Sequence, residues 1–174
     1  AQRAGTSQVV FVGTHRQRNI GGLRTVTPNA MSLDLSICIP TLQAKTLLRD
    51  CLQSIRANTH TAAYEIIVVD NNSQDGTVDM LRQEFPTVRL IANPTNLGFA
   101  KPVNQAIAIS QGRYVLLLNN DTLVLEPALD RLVEFADGHP EIGICGPKVL
   151  NRDGSLQKQC RRSFATPWDL FCYF

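Results

Sequence analysis

Between residues 35 and 136 the chain alternates short β-rich runs with helical patterns, and this alternation leaves little choice of architecture. Residues 35–39 are mostly apolar and are followed by Pro40, which stops a strand. Residues 42–58 carry Leu48, Cys51, Leu52 and Ile55 at helical spacing. Residues 66–69 are four consecutive β-branched residues, suited to a strand covered on both faces. Asp75-Gly76-Thr77 reads as a helix start with Asp75 as its cap; Val78, Leu81 and Phe85 form one face, and Pro86 ends it. Residues 88–91 form a third strand and residues 100–110 a third helix, with Val103, Ala106 and Ile107 turned inward. Residues 114–118 form a fourth strand. Residues 126–136 form a helix with Pro127 in its first turn and Gly138-His139-Pro140 as its stop. The order β-α-β-α-β-α-β predicts an α/β fold: a mainly parallel twisted sheet covered by helices on both faces.

Outside this region the signals are sparser. Residues 142–145 and 148–150 read as short strands, and Asp153-Gly154 as a turn. Trp168-Asp169-Leu170-Phe171-Cys172-Tyr173-Phe174 reads as the start of an element that continues beyond the sequence. Residues 1–33 hold Arg3, Arg16, Arg18 and Arg24 and no carboxylate, whereas the remainder carries 13 Lys and Arg against 15 Asp and Glu. Scattered arginines without interleaved aromatics do not make a nucleic-acid surface, so this basic segment is expected to be a flexible leader, with the native start near Met31. Its run Val9-Val10-Phe11-Val12 is too short for the apolar region of a signal peptide. No apolar run reaches the roughly 20 residues that span a bilayer. The five cysteines, an odd number without CxxC spacing, point away from a disulfide framework and toward a reducing, cytoplasmic setting; Cys38 and Cys51 read as core residues.

In an open parallel sheet, ligands bind outside the carboxyl ends of the strands. Here the first strand ends in Pro40-Thr41, the second in Asp70-Asn71-Asn72-Ser73, and the fourth in Asn119-Asn120-Asp121-Thr122. Turn chemistry explains any one of these clusters, but it gives no reason for three on the same edge. Asp121 is a hard oxygen ligand suited to Mg²⁺ or Mn²⁺, and Asn119 offers a carbonyl oxygen to the ion or to a ribose hydroxyl. Asp70 accepts hydrogen bonds from a base N–H or a ribose hydroxyl, with Thr41 beside it. The implied ligand combines a base, a ribose and a metal-bound diphosphate. No G-x-G-x-x-G follows the first strand and no G-x-x-x-x-G-K-[ST] occurs, which argues against a Rossmann-type dinucleotide or methyl-donor enzyme.

Taken together, Ser36-Ile37-Cys38-Ile39-Pro40-Thr41, Glu65-Ile66-Ile67-Val68-Val69-Asp70-Asn71-Asn72-Ser73 and Asp75-Gly76-Thr77 resemble the opening of family 2 glycosyltransferases. Asn93, Asn96-Leu97-Gly98-Phe99-Ala100 and Asn104 are similar to its next signature, and Leu116-Leu117-Leu118-Asn119-Asn120-Asp121-Thr122 to its metal-binding DXD motif. The resemblance runs over roughly residues 34–164. It implies a GT-A fold, a nucleoside-diphosphate-sugar donor, a Mg²⁺ or Mn²⁺ cofactor and inversion at the anomeric carbon. Thr41 and Asp70 would hold the nucleoside, and Asn119 and Asp121 the ribose, diphosphate and metal; Asn71 would also bind the nucleotide-sugar, and Lys101 a phosphate. Asn119 in place of the first DXD aspartate, with Asn151-Arg152-Asp153-Gly154-Ser155 downstream, looks most like the rhamnosyltransferase-like branch. That branch implies a dTDP-sugar, a saccharide or glycolipid acceptor, and peripheral association with the inner face of the cell membrane.

An inverting transferase needs a carboxylate to deprotonate the acceptor hydroxyl. Residues 155–174 hold one carboxylate, Asp169, whose surroundings do not match the family's acidic motif, so the base is expected beyond Phe174. Residues 34–174 are therefore expected to be the nucleotide-sugar-binding domain, truncated on the acceptor side. A non-catalytic nucleotide-sugar-binding or assembly module is the alternative.

Overall fold

The computed structural model describes residues 9–12 and 33–157. Its elements in chain order are β1 (Val9–Val12), β2 (Leu35–Thr41), α1 (Lys45–Asn58), β3 (Tyr64–Asp70), α2 (Thr77–Glu84), β4 (Arg89–Ala92), α3 (Ala100–Ala108), β5 (Tyr114–Leu118), α4 (Ala128–Gly138) and β6 (Ile144–Cys145). One sheet joins the six strands in the order β4-β3-β2-β5-β1-β6. Strands β4, β3, β2 and β5 run parallel, as the alternating pattern requires. Pro40 does not end β2. Pairing with β5 has already stopped after Cys38, and the β3 ladder continues through Pro40 to Thr41 opposite Asp70.

Side-chain alternation splits the core in two. Ile37, Ile39, Ile66, Val68, Leu116 and Leu118 meet α1, α2 and α4 on one face; Cys38, Ile67, Val69 and Val115 meet α3 on the other. Each large aliphatic side chain buried this way contributes about 1.5–3 kcal/mol. Cys38 and Cys51 are fully buried, as their apolar settings predicted. On α2, Thr77, Met80 and Leu81 are buried with Phe85, so the inward face is rotated from the expected one through Val78.

Two departures concern the ends. Residues 9–12 belong to the segment expected to be flexible, yet they form a strand antiparallel to β5 and to β6. The run is β-branched and aromatic, and it pairs with a β5 edge that would otherwise be open on that side. Residues 1–8 and 13–32, with the four arginines, lie outside the described residues, as does the aromatic run near residue 170. The strand expected over 148–150 reduces to a single bridge between Leu150 and Leu156. The turn between them matches Asp153-Gly154: Gly154 has φ +80° and donates its N–H to Asn151 O at 2.9 Å.

The amino-terminal edge of the parallel strands is closed by a compact polar knot. Buried Ser36 donates to Glu65 Oε1 (2.7 Å) and accepts the N–H groups of Gly112 (2.8 Å) and Gln111 (3.1 Å). Glu65 Oε2 pairs with Arg89 at 2.6 Å, and Arg89 also reaches Ile109 O. The α3–β5 connection is thus drawn tightly onto β2, leaving no room for a side chain at Gly112: a Cβ there would lie 2.6 Å from Ser36 N and 2.7 Å from Leu35 C. Both neighbours are backbone. Gly112→Ala is expected to destabilise the chain by about 2–3 kcal/mol, read as a lower urea midpoint.

Burial alone pushes the Glu65 carboxyl up, but the bonds from Ser36, Arg89 and the Gln111 N–H outweigh it and hold the group below the usual glutamate range. A lowered native value means stability that is present above the unfolded pKa, about 4.3, and lost as pH falls through the native value. The gap in urea midpoint between the native chain and Glu65→Gln is therefore expected to be full at neutral pH. It should narrow steadily as the solution is acidified below about pH 4.3.

Candidate functional site

Because β3, β2 and β5 are neighbours running the same way, their carboxyl ends lie side by side: Asp70, then Thr41, then the 119–121 turn. Thr41 and Asp70 are an in-register pair and are 3% and 1% exposed. Asp70 Oδ2 accepts the Ser73 N–H at 2.9 Å, folding the following residues into a tight turn. Asp70 Oδ1 is buried and has no hydrogen-bond partner among the described residues. An acceptor left without a donor inside a protein costs free energy, so this oxygen is a position where a ligand N–H or O–H would be stabilised.

The loops after β2 and β3 are laced together. Gln43 donates its N–H to Ser73 Oγ (2.8 Å), and its side-chain oxygen accepts the Gln74 N–H (3.1 Å). Asp75 does more than the single cap expected of it. One oxygen accepts the Thr77 N–H at the start of α2, and the other accepts the Lys45 N–H at the start of α1 (2.9 Å). Burial pushes this carboxyl up, but the Thr77 hydroxyl and these N–H groups outweigh it and lower it. Gln43 and Asn72 both sit at positive φ, +49° and +71°, so the lacing holds backbone in a region non-glycine residues seldom occupy.

Asn71, expected among the nucleotide-sugar-binding residues, turns its side chain to the loop before α3. Its Nδ2 donates to Gly98 O (2.7 Å) and Asn96 Oδ1 (3.1 Å), while its Oδ1 accepts from Asn93 Nδ2 (3.2 Å) and the Leu97 N–H (3.4 Å). Both donor hydrogens and both acceptor lone pairs are spent on the 93–98 loop, which leaves none for a ligand. Asn93 is itself clamped by a reciprocal amide pair with Gln105 on α3. Asn71 therefore shapes the loop leading into α3 and Lys101. Lys101 is exposed in the first turn of α3, and the structure does not join it to the strand-end cluster.

The turn after β5 is held from α1. Cys51 Sγ–H donates to Asn119 O (3.8 Å), the Val124 N–H donates to Ser54 Oγ (2.9 Å), and Asn58 Nδ2 donates to Val124 O (2.7 Å). These α1 residues lie on one stripe of the helix, so the segment from Asn119 runs back along it. Asp121, on this same segment, is half-buried. Burial, and then the charge of Asp121, push the Cys51 thiol up to about 12. Asn120, which the sequence reading left without a role, donates to Thr41 Oγ1 at 2.9 Å. One carboxylate and an amide carbonyl are hard oxygen donors that fit Mg²⁺ or Mn²⁺. Among the described residues no cluster of three or more His, Cys, Asp and Glu is placed to hold a metal, so an ion here would need substrate oxygens as well.

Comparison with known proteins gives a consistent picture. The family model "Glycosyl transferase family 2" matches residues 36–171. The chain is 33% identical over 126 residues to the O-antigen biosynthesis protein RfbC of Myxococcus xanthus, covering 71% of this chain and 10% of that protein. It is 31% identical over 108 residues to an N-acetylglucosaminyl-diphospho-decaprenol L-rhamnosyltransferase of Mycobacterium tuberculosis, covering 56% and 35%. Among solved structures, S. aureus TarS 1-349 in complex with UDP superposes with a TM-score of 0.57 at 24% identity, over 62% of this chain and 33% of that one. The shared architecture is the GT-A fold. The chain thus spans between a tenth and about a third of these three proteins.

The Asn71 arrangement is open to an isosteric test. Asn71→Asp turns two donors into acceptors facing Gly98 O and Asn96 Oδ1. It is expected to cost about 2–4 kcal/mol in a urea unfolding experiment, with the first loss of amide-exchange protection in the 93–98 loop.

Proposed function

The chain belongs to glycosyl transferase family 2, and we propose that it is the donor-binding part of a metal-assisted, inverting glycosyltransferase acting on a nucleoside-diphosphate sugar. The observation that carries this reading is the buried, unpartnered Oδ1 of Asp70 beside Thr41 at the carboxyl edge of the sheet. A carboxylate accepts and cannot donate, so it selects a base or ribose that presents N–H or O–H. Asp121, with the side-chain carbonyl of Asn119, would hold Mg²⁺ or Mn²⁺ together with diphosphate oxygens. The ion, when bound, stabilises negative charge on the departing diphosphate. Lys101, exposed in the first turn of α3, would reach a phosphate only from outside this cluster.

The donor we favour is a dTDP-hexose such as dTDP-rhamnose, in keeping with Asn119 at the first motif position and with the name of the mycobacterial relative. The acceptor is a saccharide or lipid-linked saccharide of the cell envelope, a class the names of both relatives support, and it is met at the cytoplasmic face of the membrane. Among the described residues no helix is long and apolar enough to cross a membrane.

Calorimetric titration with dTDP, UDP and GDP, each with and without Mn²⁺, tests the proposal. One nucleotide is expected to bind in a metal-dependent way. Asp121→Ala and Asp70→Asn should each weaken it by at least about tenfold, the loss that goes with one charge-assisted hydrogen bond. Metal-independent binding, or binding that survives both substitutions, would remove the assignment.

A further inference from the structure

Asn120 sits between the two residues assigned to the diphosphate and metal, yet its side chain turns away to Thr41. The strand register explains why it reaches. The last β2–β5 pair is Cys38 with Leu117; three residues further on each strand bring Thr41 level with Asn120. The backbone ladder has ended there, and the bond from Asn120 Nδ2 to Thr41 Oγ1 joins the two strand ends in its place. Thr41 is bound to the other side as well, because its carbonyl accepts the Asn71 N–H at 2.9 Å. A continuous path therefore runs from the Asp70 loop, through buried Thr41, to the 119–121 turn. The same turn is gripped from beneath by a second contact, the Cys51 thiol on Asn119 O.

We propose that Asn120 is a positioning residue: its amide, bonded to Thr41, holds the diphosphate- and metal-binding turn in register with the nucleoside pocket. This rests on the donor-site reading above. Loss of the bond lets the turn move relative to Asp70, so base recognition and diphosphate recognition fail together, although Asn120 touches neither group. The type of group matters less than the bond. Asn120→Asp still has a partner, since the Thr41 hydroxyl can donate to a carboxylate, whereas Asn120→Ala and Thr41→Val have none.

Cys51 supplies a readout that needs no ligand. Its thiol is buried under the turn, so alkylation by iodoacetamide reports opening of that segment; Cys38, buried on the opposite face of the sheet, reports global opening in the same sample. With labelling followed peptide by peptide in the 174-residue chain, Asn120→Ala and Thr41→Val are expected to label Cys51 at least about fivefold faster, with Cys38 unchanged. Asn120→Asp and Thr41→Ser should stay near the native rate. In titrations with the nucleotide that binds, Asn120→Ala should weaken the nucleoside monophosphate and the diphosphate with Mn²⁺ by similar factors. Native Cys51 labelling in Asn120→Ala, or a loss confined to the diphosphate, overturns the inference. Faster Cys51 labelling alongside a native chain that binds no nucleotide leaves the tie between strand ends standing and overturns the donor reading instead.

Discussion

The parallel hydrogen-bonded register of β3, β2 and β5 is the constraint from which the site follows. Residues that pair across parallel strands share a face, and strands that run together end together. Once Thr41 is opposite Asp70 and β5 is seated on β2, three polar strand ends converge without any further folding instruction. Two sets of polar groups keep that register. Ser36, Glu65, Arg89 and Gly112 close the far edge of the sheet, while Gln43, Ser73 and Asp75 bind the near-edge loops to one another.

Helix α1 acts as the strut between these loops. It lacks a side-chain cap of its own at Ala44 and takes one from Asp75, in the loop that follows Asp70. About two to nearly four turns along the helix, Cys51, Ser54 and Asn58 meet the segment that carries Asn119 and Asp121. The loop after Asp70 and the turn after β5 are thus referred to the same rigid body, and the geometry of the strand-end cluster becomes a property of helix packing rather than of loop sequence. The exposed ion pair of Arg49 with Glu84 and the stacking of Arg56 over Phe85 sit on the α2 side of this strut, where they add little free energy but set its contact with α2.

Much of this was legible in the residues themselves. The four parallel strands and the four helices announced themselves because buried strands need β-branched runs and amphipathic helices need a 3.6-residue repeat, both of which are local properties. The strand-end clusters could be read because parallel topology says where strand ends go. What escaped were relations between distant residues. Asn71 looks like a ligand residue in sequence, but its four partners lie 22 to 27 residues away and use all of its capacity. The role of Asn120 depends on a β2–β5 register that no local pattern contains. Residues 9–12 are too short a signal to announce a strand, and their pairing with β5 spans more than a hundred residues.

Asp130 carries a consequence for how the chain is made. From the first turn of α4 its carboxylate accepts the N–H groups of His60, Thr61 and Ala62, at sequence separations of 70, 69 and 68 residues. Those three amides lie in the crossover from α1 into β3, so the first βαβ unit leaves the ribosome with that connection held to Asp34 and Leu35 at Ala63 but without its Asp130 anchor. It remains so through the synthesis of two further strands and two further helices. Vectorial folding thus runs with a delay built into it: the amides of this crossover emerge early but gain their carboxylate partner only when the first turn of α4 arrives to bind them.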